Sequence, residues 1–136
     1  MNVQWPLVIE IRVPWGDVDG AGHVNNARYF TYFETARVEA YFRATGRTGT
    51  HRVEDLDIIL ASTKCDFRSQ ANMGDVLLVS AKPTRVGDTS FAFQYTITRK
   101  SDGTIIAEGE SVQVCFDYEK QQKRRVPDAL RDALVT

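Results

Sequence analysis

Residues 7–13, Leu-Val-Ile-Glu-Ile-Arg-Val, place an apolar side chain at every odd position and turn Glu10 and Arg12 the other way. A period of two is that of a half-exposed β-strand, and Pro14 and Gly16 end it. From about Asn26 the period changes. At the helical step of about 100° per residue, Arg28, Thr31, Thr35, Glu39 and Arg43 fall in one polar stripe. Tyr29, Phe33, Ala36, Ala40 and Ala44 lie opposite, flanked by Phe30 and Tyr41. The spacing predicts a helix over about 26–45, with Asn25 or Asn26 capping its first N–H groups and Gly46 stopping it. So wide an apolar arc belongs to a helix that is mostly buried. Glu34 and Arg37 interrupt the arc three residues apart, close enough to pair. Because buried charges are costly unless paired, they are expected to form an internal ion pair or to serve a site or subunit interface.

Residues 47–57 are polar and irregular and carry Gly49 and His51. From Ile58 onward the pattern is that of strands, over 58–68, 75–85, 89–100 and 104–116. Phe91, Phe93, Tyr95 and Ile97 alternate with Ala92, Gln94, Thr96 and Thr98, the cleanest period of two in the chain. Asn72-Met-Gly-Asp75, Val86-Gly-Asp88 and Ser101-Asp-Gly-Thr104 supply turns short enough for antiparallel neighbours. A basic run, Lys120, Lys123, Arg124 and Arg125, leads through Pro127 into a short amphipathic helix at about 128–135. One strand, one long buried helix and four antiparallel strands make an α+β domain, expected to span 1–136 as a single unit. A single five-stranded sheet can bury such a helix only by curling around it. That leaves an open edge, which pairing with a second copy would cover, so a homodimer is expected.

Bulk properties narrow the function little. The 136 residues are 43% hydrophobic and 26% charged, and 17 basic against 18 acidic residues give a net charge of −1. Nothing in that balance draws the chain to nucleic acid or to a membrane surface, so any anionic partner must be held locally. Cys65 and Cys115 have neither metal-ligand nor disulfide spacing and read as small buried hydrophobes. The chain shows no basic region followed by an apolar run and no stretch near the ~20 apolar residues of a membrane span. A cytoplasmic, reducing location is expected.

The chemistry concentrates in Trp15-Gly-Asp17-Val-Asp19-Gly-Ala-Gly22-His23-Val-Asn25-Asn26, a Gly-rich loop at the helix entry. Two carboxylates, a His and two Asn beside free helix N–H groups can combine acid/base work with backbone donors. There is no Gly-x-Ser-x-Gly, no P-loop and no His/Cys/Asp cluster of metal-ligand spacing.

Gly16-Asp-Val-Asp19, Gly22-His-Val-Asn-Asn26 and Tyr29-Phe-Thr-Tyr-Phe-Glu34-Thr-Ala-Arg37 together resemble the signature of hot-dog-fold acyl-CoA thioesterases of the 4-hydroxybenzoyl-CoA thioesterase-like family. The resemblance is specific over 12–37 and architectural afterwards. It implies a hydrolase that needs no metal or cofactor and frees a carboxylic acid from CoA, or from an acyl-carrier protein with the same phosphopantetheine arm. Asp19 takes the position of the catalytic carboxylate, as nucleophile or general base. The backbone N–H of Asn26 takes that of the oxyanion donor, with Asn25 beside it. The site is implied to lie at a dimer interface, with the strand after the helix contributing from around Ala61, Ser62 and Thr63; such dimers often pair into tetramers. Arg85 and the Lys123, Arg124, Arg125 cluster are implied to hold CoA phosphates. Asp17 is expected to fix the turn and His23 to hold the loop beside the substrate. Two other functions fit the same fold: a non-catalytic acyl-thioester-binding module, which an intact Asp19 opposes, and a dehydratase or hydratase, which the presence of only His23 and His51 disfavours.

Overall fold

The computed structural model describes residues 3–46 and 57–135; the stretch with Gly49 and His51 lies outside them. Strand β1 (Leu7–Arg12) leads through a 3-10 turn (Trp15–Asp17) to helix α1 (Asn26–Thr45). Strands β2 (Ile58–Phe67), β3 (Val76–Val86), β4 (Ser90–Arg99) and β5 (Ile105–Asp117) follow, then β6 (Gln122–Lys123) and helix α2 (Asp128–Val135). All ladders are antiparallel, in the spatial order β1-β3-β4-β5-β2, with β6 on the end of β5.

The α1 boundaries follow from its two caps. Asn25 has an extended backbone and accepts the Ala27 N–H through its side chain. Gly46, at φ 72°, takes the left-handed conformation that ends the helix. The expected apolar face is buried, and Tyr32, outside that expectation, joins it. Phe33 stacks on Tyr95 of β4 with centroids 4.6 Å apart, and Tyr41 stacks on Phe91 at 6.4 Å. Close approach of helix and sheet depends on Gly109 of β5. A Cβ there would lie 2.5 Å from the Lys64 carbonyl oxygen and 2.6 Å from Phe33 Cζ. On the far side, Leu130, Ala133 and Leu134 of α2 complete the core, tied by the Trp5 indole N–H to the Ala133 carbonyl.

Two expectations need correction. Among the described residues the sheet has six strands, because Lys123 and Gln122 pair with Phe116 and Asp117. A two-residue ladder is too short to leave a period in the sequence. Glu34 and Arg37 do approach to 3.8 Å, but Glu34 is 64% exposed and only Arg37 is buried. The Arg37 guanidinium donates to Tyr95 Oη at 3.3 Å, the head of a polar chain that continues through Ser111 and Gln113 to the Phe91 carbonyl. Burying the cation is tolerable because this chain satisfies it across the core.

Strand β2 differs from its neighbours. Among the described residues it pairs only with β5, a bulge falls between Leu60 and Ser62, and seven of its ten residues are exposed.

Candidate active site

The loop between β1 and α1 is a tight hairpin. Val18 and Val24 bridge, the Asp19 N–H donates to the His23 carbonyl at 2.9 Å, and the Gly22 N–H donates to the Asp19 carbonyl at 3.0 Å. Gly22 sits at φ 86°, where a side chain would be strained.

The two loop carboxylates have different surroundings. Asp17 accepts the Tyr32 hydroxyl at 2.7 Å, pairs with Arg28 at 3.5 Å, and receives the Asn25 N–H on its carbonyl. It therefore fastens the loop to the first turns of α1. Burial, the hydrogen bond to Asp17 and that carboxylate's charge push the Tyr32 hydroxyl far above the usual tyrosine range. Asp19 is exposed, accepts only the Ala21 N–H at 2.9 Å through Oδ1, and keeps Oδ2 without a partner among the described residues.

At the helix entry, Asn25 Oδ1 takes the Ala27 N–H and the Asn25 carbonyl takes the Arg28 N–H. The Asn26 N–H has no acceptor among the described residues, and it sits at the positive end of α1. His23 Nδ1 lies 3.0 Å from Asn72 Oδ1, an acceptor that requires the proton on Nδ1. The Val24 N–H donates to the Ala71 carbonyl at 2.9 Å.

Asp19, His23, Asn25 and Asn26 line one half-open cavity of about 570 Å³. Its floor is the Tyr29–Phe67 ring pair, with centroids 5.6 Å apart, and its far wall is Arg68, Ser69 and Gln70. Burial raises the Tyr29 hydroxyl above its ordinary range. The far wall is absent from the sequence-based site; its only trace in the chain is the polar run that follows β2. The other candidates lie elsewhere. Ser62, Thr63 and Arg85 border a separate groove of about 320 Å³ over β2, β5 and the end of β3. Arg124 pairs with Asp57 at 3.5 Å beside the end of α1, whereas Lys123 and Arg125 are exposed. The basic cluster is thus divided, with Arg124 turned to an internal partner.

An antiparallel sheet curled around one long helix, with a carboxylate loop feeding the helix entry, is the hot-dog fold. The chain belongs to the thioesterase-like superfamily, whose family model matches residues 13–134. It is 25% identical over 127 residues to the acyl-CoA thioester hydrolase YbgC of Escherichia coli, covering 93% of this chain and 91% of that one. It is 27% identical over 132 residues to the 1,4-dihydroxy-2-naphthoyl-CoA hydrolase of Synechocystis, covering 92% and 91%. Among solved structures, a predicted thioesterase from Bacillus stearothermophilus superposes with a TM-score of 0.85 at 25% identity, covering 94% of this chain and 92% of that one.

Proposed function

We propose that this chain hydrolyses acyl-CoA thioesters to a free carboxylic acid and CoA, with Asp19 as the catalytic carboxylate and the Asn26 N–H as oxyanion donor. The observation that carries the reading is that Asp19 and Asn26 line one cavity, with an Asp19 oxygen and the first helix N–H both without a partner among the described residues. In the general-base route, Asp19 removes a proton from water as the water oxygen attacks the thioester carbon. The electron pair of the carbonyl moves to oxygen, where the Asn26 N–H and the helix dipole stabilise it. Collapse breaks the C–S bond, and the proton held by Asp19 passes to the departing thiolate. In the nucleophilic route the Asp19 oxygen attacks, the thiolate leaves, and water hydrolyses the acyl–Asp19 anhydride. Both routes use the same placement of groups.

Arg85, with the exposed Lys123 and Arg125, serves the nucleotide end of CoA, since Arg and Lys suit phosphate, and Ser62 and Thr63 of β2 reach the site from a second copy. Edge strand β2 pairs with a second copy, which joins its neighbouring residues to the site. Such dimers associate further as dimers of dimers.

Free-thiol release from a panel of acyl-CoAs tests the reading. Wild type should release thiol, and Asp19→Asn should lose on the order of 10²–10⁴-fold in kcat. Asn26→Ala should cost less, because its backbone N–H survives. A wild type that releases no thiol from any substrate, or an Asp19→Asn variant of unchanged kcat, would sink the assignment. Single turnover in ¹⁸O-water separates the routes, since only an anhydride can deliver label into Asp19.

A further inference from the structure

Arg99, at the end of β4, stands outside the cavity and far from the loop in sequence. Its guanidinium is nonetheless shared among three partners in two segments. Nη1 donates to Asp102 Oδ2 at 2.9 Å within its own hairpin. Nε donates to Asp75 Oδ2 at 3.2 Å, and Nη2 donates to the Gln70 carbonyl at 2.7 Å. The last two bonds leave the hairpin for the 70–75 segment, whose first residue belongs to the cavity wall. The same Asp75 oxygen accepts the Asn72 N–H at 2.9 Å, and Asn72 Oδ1 meets His23 Nδ1 at 3.0 Å. The His23 carbonyl in turn receives the Asp19 N–H at 2.9 Å.

We infer that Arg99 is a positioning residue for the hydrolysis proposed above, fixing the Asp19 loop through Asp75, Asn72 and His23. A hairpin brace alone would need only the Asp102 bond. The two further bonds hold the turn that carries the imidazole partner and set the Gln70 wall against the loop. Arginine suits this role because its planar fork presents donors in several fixed directions at once, which a lysine ammonium on a flexible stem does not. Displacement of a reacting group by about 1 Å costs on the order of 10²-fold in rate, so a remote clamp can register in turnover.

The test uses the full chain and an acyl-CoA that wild type hydrolyses. Arg99→Ala should lower kcat by up to about 10²-fold with KM unchanged, and added methylguanidinium should restore it. Asn72→Ala should also lower kcat, and the double variant should lose less than the product of the two single losses. The His23 ring ¹⁵N signals should shift in Arg99→Ala. Should Arg99→Ala not fold, Arg99→Lys and Asn72→Ala carry the same measurements. A folded Arg99→Ala with wild-type kcat, losses that multiply, or His23 signals that do not move would overturn the inference. Unchanged kcat in Asp19→Asn overturns the Asp19 assignment instead, a wild type that frees no thiol overturns the hydrolase reading, and in either case the His23 signals still report on the Arg99 chain.

Discussion

Strands β4 and β2 flank β5 on opposite sides and have the same length, 10 residues each. Their fates differ. In β4, Phe91, Phe93, Tyr95 and Ile97 are at most 1% exposed. In β2, Ile59, Leu60 and Phe67 are 37%, 45% and 44% exposed. The difference comes from what lies over each strand. Helix α1 sets Phe33 on Tyr95 and Tyr41 on Phe91, so every inward residue of β4 meets an aromatic or aliphatic neighbour. Among the described residues β2 has β5 as its one neighbour in the sheet, and α1 meets it at its end, where Tyr29 packs on Phe67. Apolar content therefore decides which strands can enter a core, and the covering element decides which do. A long edge strand with exposed apolar side chains also invites pairing with another chain, which is the basis for placing the second copy at β2.

Urea unfolding of matched truncations should reproduce the difference. Phe93→Ala removes a fully buried ring and should cost about 3–5 kcal/mol. Phe67→Ala in dilute protein loses its half-exposed contact with Tyr29 and should cost no more than about 1.5 kcal/mol. At concentrations where copies associate, the Phe67 cost should grow. A Phe67→Ala cost as large as that of Phe93→Ala at every dilution would mean that β2 is covered within one chain. Gly109→Ala comes next. It sits between the two strands, opposite Tyr95 on one side and Cys65 on the other. The added methyl must displace both the Phe33 ring and the Lys64 carbonyl. Overpacking of this kind costs about 1–3 kcal/mol. A neutral result would show that Phe33 does not rest on the bare Gly109 backbone.

The same contrast explains what could be read from the chain beforehand. Helix α1 was legible because Asn25 and Gly46 are local end signals and because its polar stripe keeps one phase from Arg28 to Arg43. β4 was legible from its strict alternation, and the expected strand limits fall within one or two residues of those observed. β2 gave a weaker signal: Ile58, Ile59 and Leu60 form a run without alternation, and the bulge after Leu60 shifts the phase. In the site, the cluster from Asp17 to Asn26 was legible because it is contiguous. The different surroundings of Asp17 and Asp19 depend on Tyr32 and Arg28, which share a face of α1, a relation that the loop sequence alone does not carry. The Gln70 wall and the chain from Arg99 to His23 join residues 23, 70, 72, 75 and 99, and no local period connects such positions.

The two thiols offer the smallest effect and a chemical view of the same edge. Cys115, fully buried on β5, and Cys65, half-buried on β2, are both held up at about 11 from an ordinary value of 9.0, chiefly by burial. The charge of Asp66 adds to the rise at Cys65, while Arg124 opposes it at Cys115. A raised folded pKa means that the neutral thiol is favoured in the native state. The resulting stability is fully present below the unfolded value near 9 and is lost as pH rises through about 11. Ultraviolet thiolate absorbance of Cys65→Ser and Cys115→Ser should each show one midpoint near 11, returning to the ordinary range in urea. Dilution then separates the sites. If a second copy covers β2, Cys65 should be alkylated faster as the protein is diluted, while Cys115 should not change. Equal dilution dependence at both thiols, or none at Cys65, would remove the second copy from this edge.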